Sequence, residues 1–414
     1  MTKTIIAEKM VFGGDCIGKI EGKTVFIPYA VPGETLEVEI IQEERDYMKA
    51  RIVKVLQPSP YRREPFCQYY GKCGGCNMQH IESGYQQTLR KEILKSAFER
   101  EQINVPEIEV IAAGHKAYRS RFQFHNGGMM EKRSNSIVEI ENCPCAEDEI
   151  NLYLKEVPFD QRPKGRVHVF GSSKIVSIPE GFDKIIIANE KKKPEDKGSS
   201  FSNSSGKKKN SRQKKIQKRF SGTVIDEHNL CTIELLGKNL TFDIQGFFQS
   251  NLNVLEKAIP FVTEGLKGCH VLDMYAGAGT FSVFLSDLFE NVTLVEHNRD
   301  ALVFAEQNLF GKKHQSYGVS GETWIKYHSE NCIKQYGNFD AVVIDPPRSG
   351  MEKAVCQWLQ KSNIPQIRSV SCDIATHARD AKFLIKAGYR LTKLFLLDFY
   401  PQTGHIESLA WFEK

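Results

Sequence analysis

The sequence predicts an α/β protein whose C-terminal half forms a doubly wound, mostly parallel β-sheet, with an antiparallel β-barrel at the N-terminus. From about Gly246 onward, short apolar runs alternate with helical segments, as in a sheet that is covered on both faces. Residues 1–57 instead contain short alternating runs that are separated by Gly- and Pro-rich turns. With 414 residues, 41% of them hydrophobic, the chain is long enough for two or three domains.

The first predicted domain is the barrel of residues 1–57. Strands are predicted at Thr24–Ile27, Leu36–Ile41 and Lys49–Leu56, with Val31-Pro32-Gly33 as turn punctuation. The segment GGDCIGKIEGKTVFIPYAVPGE resembles a TRAM domain, an oligonucleotide-binding-like barrel that occurs on RNA-modifying enzymes. The strand pattern alone leaves a purely structural barrel possible.

Residues 58–235 form the predicted central α+β domain, which begins with a proline-rich linker and a cysteine cluster. A helix is predicted from about Gly84 to Gln102, and strands are predicted at Arg166–Phe170 and Lys184–Ala188. A basic insert at about residues 190–220 contains 12 Lys and Arg against 3 Asp and Glu, with almost no apolar residues. Such a composition predicts disorder, and the insert serves either as a solvated spacer or as an arm that attracts phosphates.

The overall charge is no evidence for a nucleic-acid partner, because the positive charge is concentrated in that insert. The net charge of the whole chain is +5, but the chain without the insert is mildly acidic. The sequence has no apolar run of the roughly 20 residues that a membrane-spanning helix needs, and no secretory signal begins it. The 11 cysteines are therefore expected to be reduced and available for metal binding or catalysis. We expect a cytoplasmic monomer.

A cofactor site is predicted at the carboxyl edge of the sheet in residues 236–414. The motif HVLDMYAGAGTFSVFLS places Gly277 and Gly279 in a strand-to-helix turn, while Ser282 replaces the third glycine of a dinucleotide fingerprint. Glu296 ends the next strand, where a carboxylate can accept ribose hydroxyls or be an ordinary strand-end residue. A further strand ends in Asp345-Pro346-Pro347-Arg348. Together these motifs resemble a class I S-adenosylmethionine-dependent methyltransferase.

Two further residues are predicted to lie at the same edge. Cys372 follows the apolar run IRSVS, and Glu407 immediately precedes a predicted strand at Ser408–Phe412. A lone cysteine is otherwise a small buried hydrophobe, and a strand-end glutamate is otherwise a solvated carboxylate.

The segments SCDIATHARD and DFYPQTGHIES, with GFFQSN, DMYAGAG and DPPRSG upstream, resemble the RNA uracil-5 methyltransferase family. The resemblance implies that Cys372 is a nucleophile and that Glu407 is the base that removes the carbon-5 proton. Besides the glycine loop with Gly277, it implies S-adenosylmethionine contacts at Gln249, Tyr275, Thr280, Glu296 and Asp345. Two departures stand out: Asp373-Ile374 replaces the usual Asn-Pro, and Ala276 replaces a common Cys. The Asp373 carboxylate could disfavour the Cys372 thiolate or alter contacts with the base.

The cysteine cluster CQYYGKCGGC places Cys67, Cys73 and Cys76 at a spacing that suits one metal-binding loop, which then needs a fourth thiolate. Spacing alone leaves zinc and iron–sulfur about equally favoured. The family resemblance implies a 4Fe-4S cluster with Cys143 as the fourth ligand and Cys145 as its nearest competitor. A structural or RNA-positioning role is expected, because methyl transfer needs no electron and the pattern of a radical enzyme is absent.

The resemblance implies methylation of carbon 5 of a uridine in RNA. The barrel and the cysteine cluster favour 23S ribosomal RNA, with transfer RNA as the alternative substrate. A catalytically idle RNA-binding protein of the same fold is a second alternative, although Cys372 and Glu407 are both retained. A DNA cytosine methyltransferase would share the covalent logic but fits the arrangement of motifs poorly.

Overall fold

The structure is a computed structural model and describes residues 2–177, 184–190 and 227–414. Beyond Glu190, the predicted basic insert lies outside the described residues. The N-terminal region contains six strands, which are β1 (Thr2–Ile6), β2 (Lys9–Met10), β3 (Cys16–Ile20), β4 (Lys23–Ile27), β5 (Thr35–Glu43) and β6 (Tyr47–Gln57).

These six strands form one curled sheet in the order β1-β5-β6-β4-β3-β2. The curl brings β1 against β3, where a Cβ atom on Gly18 would collide with the carbonyl oxygen of Ile6. Alternate residues such as Val25 and Ile27 are fully buried, because successive side chains on a strand face opposite sides. The prediction of an entirely antiparallel barrel is wrong at one pair: β4 and β6 run parallel, because the chain crosses the sheet between β4 and β5.

In its described residues, the middle of the chain contributes two α-helices and nine short strands. In chain order they are α1 (Ser83–Arg100), β7 (Ile108–Ile111), β8 (Arg121–His125), β9 (Met129–Met130), β10 (Ile137–Val138), α2 (Asp148–Glu156), β11 (Arg166–Gly171), β12 (Ile175–Ser177), β13 (Ile185–Asn189), β14 (Leu230–Leu235) and β15 (Lys238–Asp243). Three small sheets result, in the orders β13-β11-β8, β10-β9 and β12-β14-β15. A core of Phe122, Phe124, Ile150 and Val169 joins α2 to the first of them.

The remainder alternates helices and strands as predicted. In chain order these elements are α3 (Leu252–Thr263), β16 (Gly268–Met274), α4 (Thr280–Leu285), β17 (Phe289–Val295), α5 (Arg299–Asn308), β18 (His314–Tyr317), α6 (Gly321–Tyr327), α7 (Ser329–Tyr336), β19 (Ala341–Ile344), α8 (Lys353–Lys361), β20 (Gln366–Ser371), α9 (Ile374–Lys386), β21 (Arg390–Leu397) and β22 (Glu407–Glu413).

One eight-stranded sheet dominates this part of the molecule, in the order β18-β17-β16-β19-β20-β22-β21-β7. All neighbours pair in parallel except β22, which is antiparallel to both β20 and β21. Its edge strand β7 comes from the predicted central segment, and α1 packs with α9 on one face. The carboxyl ends of β16, β17, β19 and β20 share one edge, which is where such sheets bind ligands. Within the described ranges, no helix is long and apolar enough to cross a membrane.

Candidate active site

Cys372 and Glu407 are brought together by the pairing of β20 with β22. Ser371 lies opposite Ser408 in this antiparallel pair, so Cys372 directly after β20 and Glu407 at the start of β22 are close across the two strands. Both residues line one cleft of about 620 Å³. Cys372 is partly exposed, whereas Glu407 is only 5% exposed. The cleft therefore presents a thiol and a buried carboxyl group to the same ligand.

Burial also sets the charge of this pair. It raises the pKa of Glu407 to about 8, with a further contribution from the Asp345 carboxylate. Burial, followed by the nearby Glu407 and Asp345 carboxylates, raises the pKa of the Cys372 thiol to about 11. The exposed guanidinium of Arg348 lowers the pKa of both groups. A raised pKa suits a carboxylate that must accept a proton from carbon.

Asp373 has a structural task in this fold. Its Oδ1 accepts hydrogen bonds from the backbone N–H groups of Ala375 (3.1 Å) and Thr376 (2.9 Å), which caps the N-terminus of α9. Asparagine performs the same task, which accounts for the exchange of one residue for the other at this position. The carboxylates that raise the pKa of Cys372 are those of Glu407 and Asp345.

The glycine turn between β16 and α4 forms one wall of the predicted cofactor site. Gly277 and Gly279 have positive φ angles of 56° and 78°, and a Cβ atom on Gly277 would meet no atom within 4 Å. That open space lets a ligand approach the backbone. Glu296 is buried, and its two carboxylate oxygens accept the backbone N–H groups of Gly277 (3.0 Å) and Asn298 (2.6 Å). Oε2 retains a lone pair for a ligand hydroxyl, whereas Oε1 also lies 3.1 Å from Nδ1 of the exposed His297.

The structure supports the other predicted cofactor residues to different degrees. Asp345 follows β19 at the same edge, and burial together with the Glu296 carboxylate raises its pKa to about 7. Thr280 begins α4, and the Tyr275 hydroxyl accepts the backbone N–H of Glu352 (3.3 Å). Gln249 precedes Ser250, which lines the catalytic cleft. The buried Oε1 of Gln249 has no hydrogen-bond partner among the described residues. An unpaired buried acceptor fits a cationic or N–H donor of a ligand.

The predicted metal ligands share a second pocket. Cys67, Cys73, Cys76 and Cys143 line it together with Cys145, against a wall that includes Tyr118, Phe122 and Met129. Cys145 is the most buried of the five, and its Sγ lies 3.8 Å from the Sγ of Cys76. Among the described residues, however, no three His, Cys, Asp or Glu side chains are arranged to hold a metal ion. The thiol chemistry fits a cluster, whereas this arrangement leaves Cys143 and Cys145 as competing ligands.

A basic groove that the sequence did not reveal extends from the catalytic cleft. Arg119, Arg121, Lys132 and Arg133 line the cleft beside Phe247, which is 69% exposed. Lys132 and Arg133 also line an adjoining pocket on the barrel, together with Tyr29, Arg51 and Arg62. The only available sequence signal was the local grouping of basic residues in YRSRF and EKR. The fold assembles these short groups into one surface that suits a phosphate backbone.

Comparisons with known proteins agree with this geometry. A family model described as "tRNA (Uracil-5-)-methyltransferase" matches residues 325–414, which include Cys372 and Glu407. A model of the TRAM domain matches residues 3–53.

Similarity to whole proteins extends over nearly the entire chain. An uncharacterized RNA methyltransferase of Treponema denticola is 34% identical to this chain, and the similarity covers 100% of each of the two chains. The 23S rRNA (uracil(1939)-C(5))-methyltransferase RlmD of Aeromonas salmonicida is 28% identical over 96% of this chain and 93% of its own. In fold, the chain matches the crystal structure of Pyrococcus abyssi tRNA (uracil-54, C5)-methyltransferase with a TM-score of 0.69, at 21% identity and 99% coverage of each chain.

Proposed function

Because the chain belongs to the RNA uracil-5 methyltransferase family, we propose that Cys372 and Glu407 carry out its reaction as nucleophile and base. The protein is an S-adenosylmethionine-dependent enzyme that methylates carbon 5 of uracil in RNA. The observation that carries the division of roles is the shared cleft, in which a partly exposed thiol lies near a buried carboxyl group.

The reaction begins with the Cys372 thiolate, which adds to carbon 6 of the uracil ring. This addition makes carbon 5 an enolate carbon, which is nucleophilic enough to accept a methyl group. S-adenosylmethionine, when bound, would supply that methyl group from its sulfonium centre, and the sulfur would keep the electron pair of the broken carbon–sulfur bond. The Glu407 carboxylate then takes the proton from carbon 5, the electron pair of that C–H bond forms the carbon 5–carbon 6 double bond, and the carbon 6–sulfur bond breaks. Cys372 leaves as a thiolate and the product is 5-methyluridine.

The protein's own charges favour different steps. Arg348 lowers the pKa of Cys372 and so increases the thiolate fraction that addition requires. The raised pKa of Glu407 makes its carboxylate a stronger base for the last proton transfer. The two groups therefore act on opposite sides of methyl transfer.

The proposed cofactor contacts are Gln249, Tyr275, Gly277, Thr280, Glu296 and Asp345. Their support is the open space over Gly277, the unpaired Oε1 of Gln249 and the Glu296 and Asp345 carboxylates at the carboxyl edge of the sheet. The repulsion between these two carboxylates favours a cationic ligand, because its charge offsets that repulsion.

We propose 23S ribosomal RNA as the substrate, bound along the basic groove by a monomer in the cytoplasm. The relatives named RlmD, the TRAM match and the cysteine cluster support this choice. We also propose that Cys67, Cys73, Cys76 and Cys143 hold a 4Fe-4S cluster, with zinc as the competing occupant.

The substrate proposal is tested by mapping 5-methyluridine in ribosomal and transfer RNA from cells with and without the protein. Loss of a 5-methyluridine in the large-subunit ribosomal RNA, with transfer RNA unchanged, is expected. Loss confined to transfer RNA would instead identify the alternative substrate. Unchanged methylation of both RNAs would point to the idle RNA-binding protein.

A further inference from the structure

A tightly held loop, residues 398–406, leads directly into Glu407, and we call it the base loop. Its residues Tyr400, Thr403 and His405 line the catalytic cleft together with Glu407. The loop is almost entirely buried, and besides its internal hydrogen bonds it is bound by residues that lie far from it along the chain. The position of Glu407 therefore depends on segments outside the sheet.

The base loop contains a strained residue. Gln402 has a φ angle of 69°, in the left-handed region that non-glycine residues seldom adopt. Its N–H donates to the Oε1 of Gln86 (3.0 Å), and its carbonyl oxygen accepts the N–H groups of Asn77 (3.1 Å) and Met78 (3.0 Å). Such a conformation persists only where the surroundings impose it, and this is typical of functional sites.

Asn77 connects the base loop to two other segments through its side chain. Its Oδ1 accepts the N–H of Gly404 (2.9 Å), and its Nδ2 donates to the carbonyl oxygen of Gly13 (2.7 Å) in the barrel. The backbones of Gly13 and Gly404 are in such close contact that a Cβ atom on Gly404 would collide with Gly13. Three segments therefore meet at one amide: a barrel turn, the base loop, and the segment of residues 67–77, which we call the cysteine loop.

The beginning of the base loop is fixed from α1. Arg90 forms an ion pair with Asp398 (2.8 Å), and both side chains are at most 4% exposed. Arg90 also donates to the carbonyl oxygen of Tyr400 (3.2 Å), and Gln87 donates to Asp398 (3.0 Å). The beginning of the loop is therefore anchored to α1, and Asn77 binds the loop further along, at Gly404.

We propose that Asn77 is a positioning residue for the catalytic base. Its side chain fixes the base loop, which contains Thr403 and His405 and leads into Glu407. The inference rests on the proposed role of Glu407 as the base. Asn77 directly follows Cys76, and it makes two hydrogen bonds with the base loop, one at Gln402 and one at Gly404. The conformation of the cysteine loop therefore affects the position of the base. The cysteine pocket thereby acquires a task in catalysis that requires no electron transfer.

The test compares Asn77→Ala, Asn77→Asp and Tyr389→Phe in the full-length protein. Asn77→Ala removes both side-chain hydrogen bonds. Asn77→Asp keeps the acceptor for Gly404 but places a carboxylate oxygen, instead of the amide N–H, against the Gly13 carbonyl oxygen. Tyr389→Phe is the matched control, because it removes a buried hydrogen bond to the Ile364 carbonyl (2.8 Å) at the opposite edge of the sheet. Each variant is examined by hydrogen exchange of residues 400–406, and by kcat and KM. The protein–RNA adduct is measured with methyl-labelled S-adenosylmethionine.

Asn77→Ala is expected to exchange faster at residues 400–406 and to lose about 10- to 100-fold in kcat, with KM for S-adenosylmethionine unchanged. Methylated adduct should accumulate, because a displaced base slows elimination after methyl transfer. Asn77→Asp should also lose turnover and accumulate adduct, because its carboxylate is repelled by the Gly13 carbonyl oxygen, and Tyr389→Phe should show no adduct. Unchanged exchange in Asn77→Ala, wild-type turnover by both Asn77 variants, or equal losses in the control would overturn the proposal. If Glu407→Gln itself forms no adduct, the base assignment fails, while hydrogen exchange still decides whether Asn77 holds the loop.

Discussion

The proposed reactivity of Cys372 and Glu407 depends on surroundings that the linear sequence does not display. The motifs place both residues at strand ends, but the raised pKa values arise from burial and from the Asp345 carboxylate, which is contributed by a different strand. The same fold positions Arg348, whose guanidinium lowers the pKa of both groups and so partly offsets these increases. The sequence thus predicts which groups react, whereas their protonation depends on long-range packing.

The raised pKa of Glu407 predicts a pH dependence for product release. The base works only when deprotonated, so single-turnover release of methylated RNA should increase with pH and level off above about 8. The rate of adduct formation by Glu407→Gln should not depend on an ionisation at position 407 and should follow only the ionisation of Cys372. Release that stays constant between about pH 6 and pH 9 would contradict the raised pKa.

The same shift has the opposite effect on stability. Because the folded-state pKa lies above the ordinary value of 4.5, the protonated carboxyl group favours the folded state. That contribution is lost as the pH rises from about 4.5 through about 8.

Asp373 is predicted to matter for helix stability more than for the thiolate. Asp373→Ala should lower the free energy of unfolding by about 0.5–2 kcal/mol, because the cap of α9 is lost, whereas Asp373→Asn should be nearly neutral. Denaturant unfolding measures both effects. If Asp373→Asn strongly accelerates alkylation of Cys372 by iodoacetamide, the carboxylate acts on the thiolate after all.

At the scale of elements, local patterns predict which segments form strands and helices, but they do not predict how distant elements combine. The runs at Leu36–Ile41 and Lys49–Leu56 correspond to β5 and β6, and the apolar runs of the C-terminal half correspond to its parallel strands. The parallel pairing of β4 with β6 and the basic groove both require residues from separate segments. Hydrophobic periodicity carries no information about such partners.

The basic groove is predicted to bind the phosphate backbone of RNA. Lys132→Ala and Arg133→Ala should each weaken binding and reduce the slope of log affinity against log salt by about 1. Lys334→Ala, on an exposed position of α7 outside the groove, is the matched control. Salt titrations of RNA binding check the prediction, and unchanged slopes in both groove variants would refute it.

The cysteine pocket is predicted to give a brown protein that contains iron. Serine at Cys67, Cys73 or Cys76 should abolish the visible absorbance, whereas Cys269→Ser, at an exposed cysteine outside the pocket, should retain it. Comparison of Cys143→Ser with Cys145→Ser identifies the fourth ligand. Stoichiometric zinc without iron after anaerobic purification would contradict the cluster.

At the scale of the whole molecule, the catalytic edge is where the main parts of the chain meet. The eight-stranded sheet takes its edge strand β7 from the predicted central segment, and the base loop contacts α1, the cysteine loop and the barrel. The sequence could predict the barrel, the cysteine cluster and the methyltransferase motifs separately. It could not predict their junction, because Gly13, Asn77 and Gly404 are small or polar residues without a recognisable pattern.

In the proposed reaction Cys372 acts before methyl transfer and Glu407 acts after it. A trapping experiment tests this division of roles most directly. Wild-type protein, Cys372→Ala and Glu407→Gln are mixed with target RNA and methyl-labelled S-adenosylmethionine. Label is then followed in free RNA and in a slowly migrating band on denaturing gels. Cys372→Ala should give neither product nor adduct, because carbon 5 is never activated.

Glu407→Gln should still add to carbon 6 and transfer the methyl group, but the amide cannot accept the carbon-5 proton. A labelled protein–RNA adduct should therefore accumulate and survive denaturation, while little label reaches free RNA. Wild-type turnover by Cys372→Ala would exclude the nucleophile, and normal release of methylated RNA by Glu407→Gln would exclude the base.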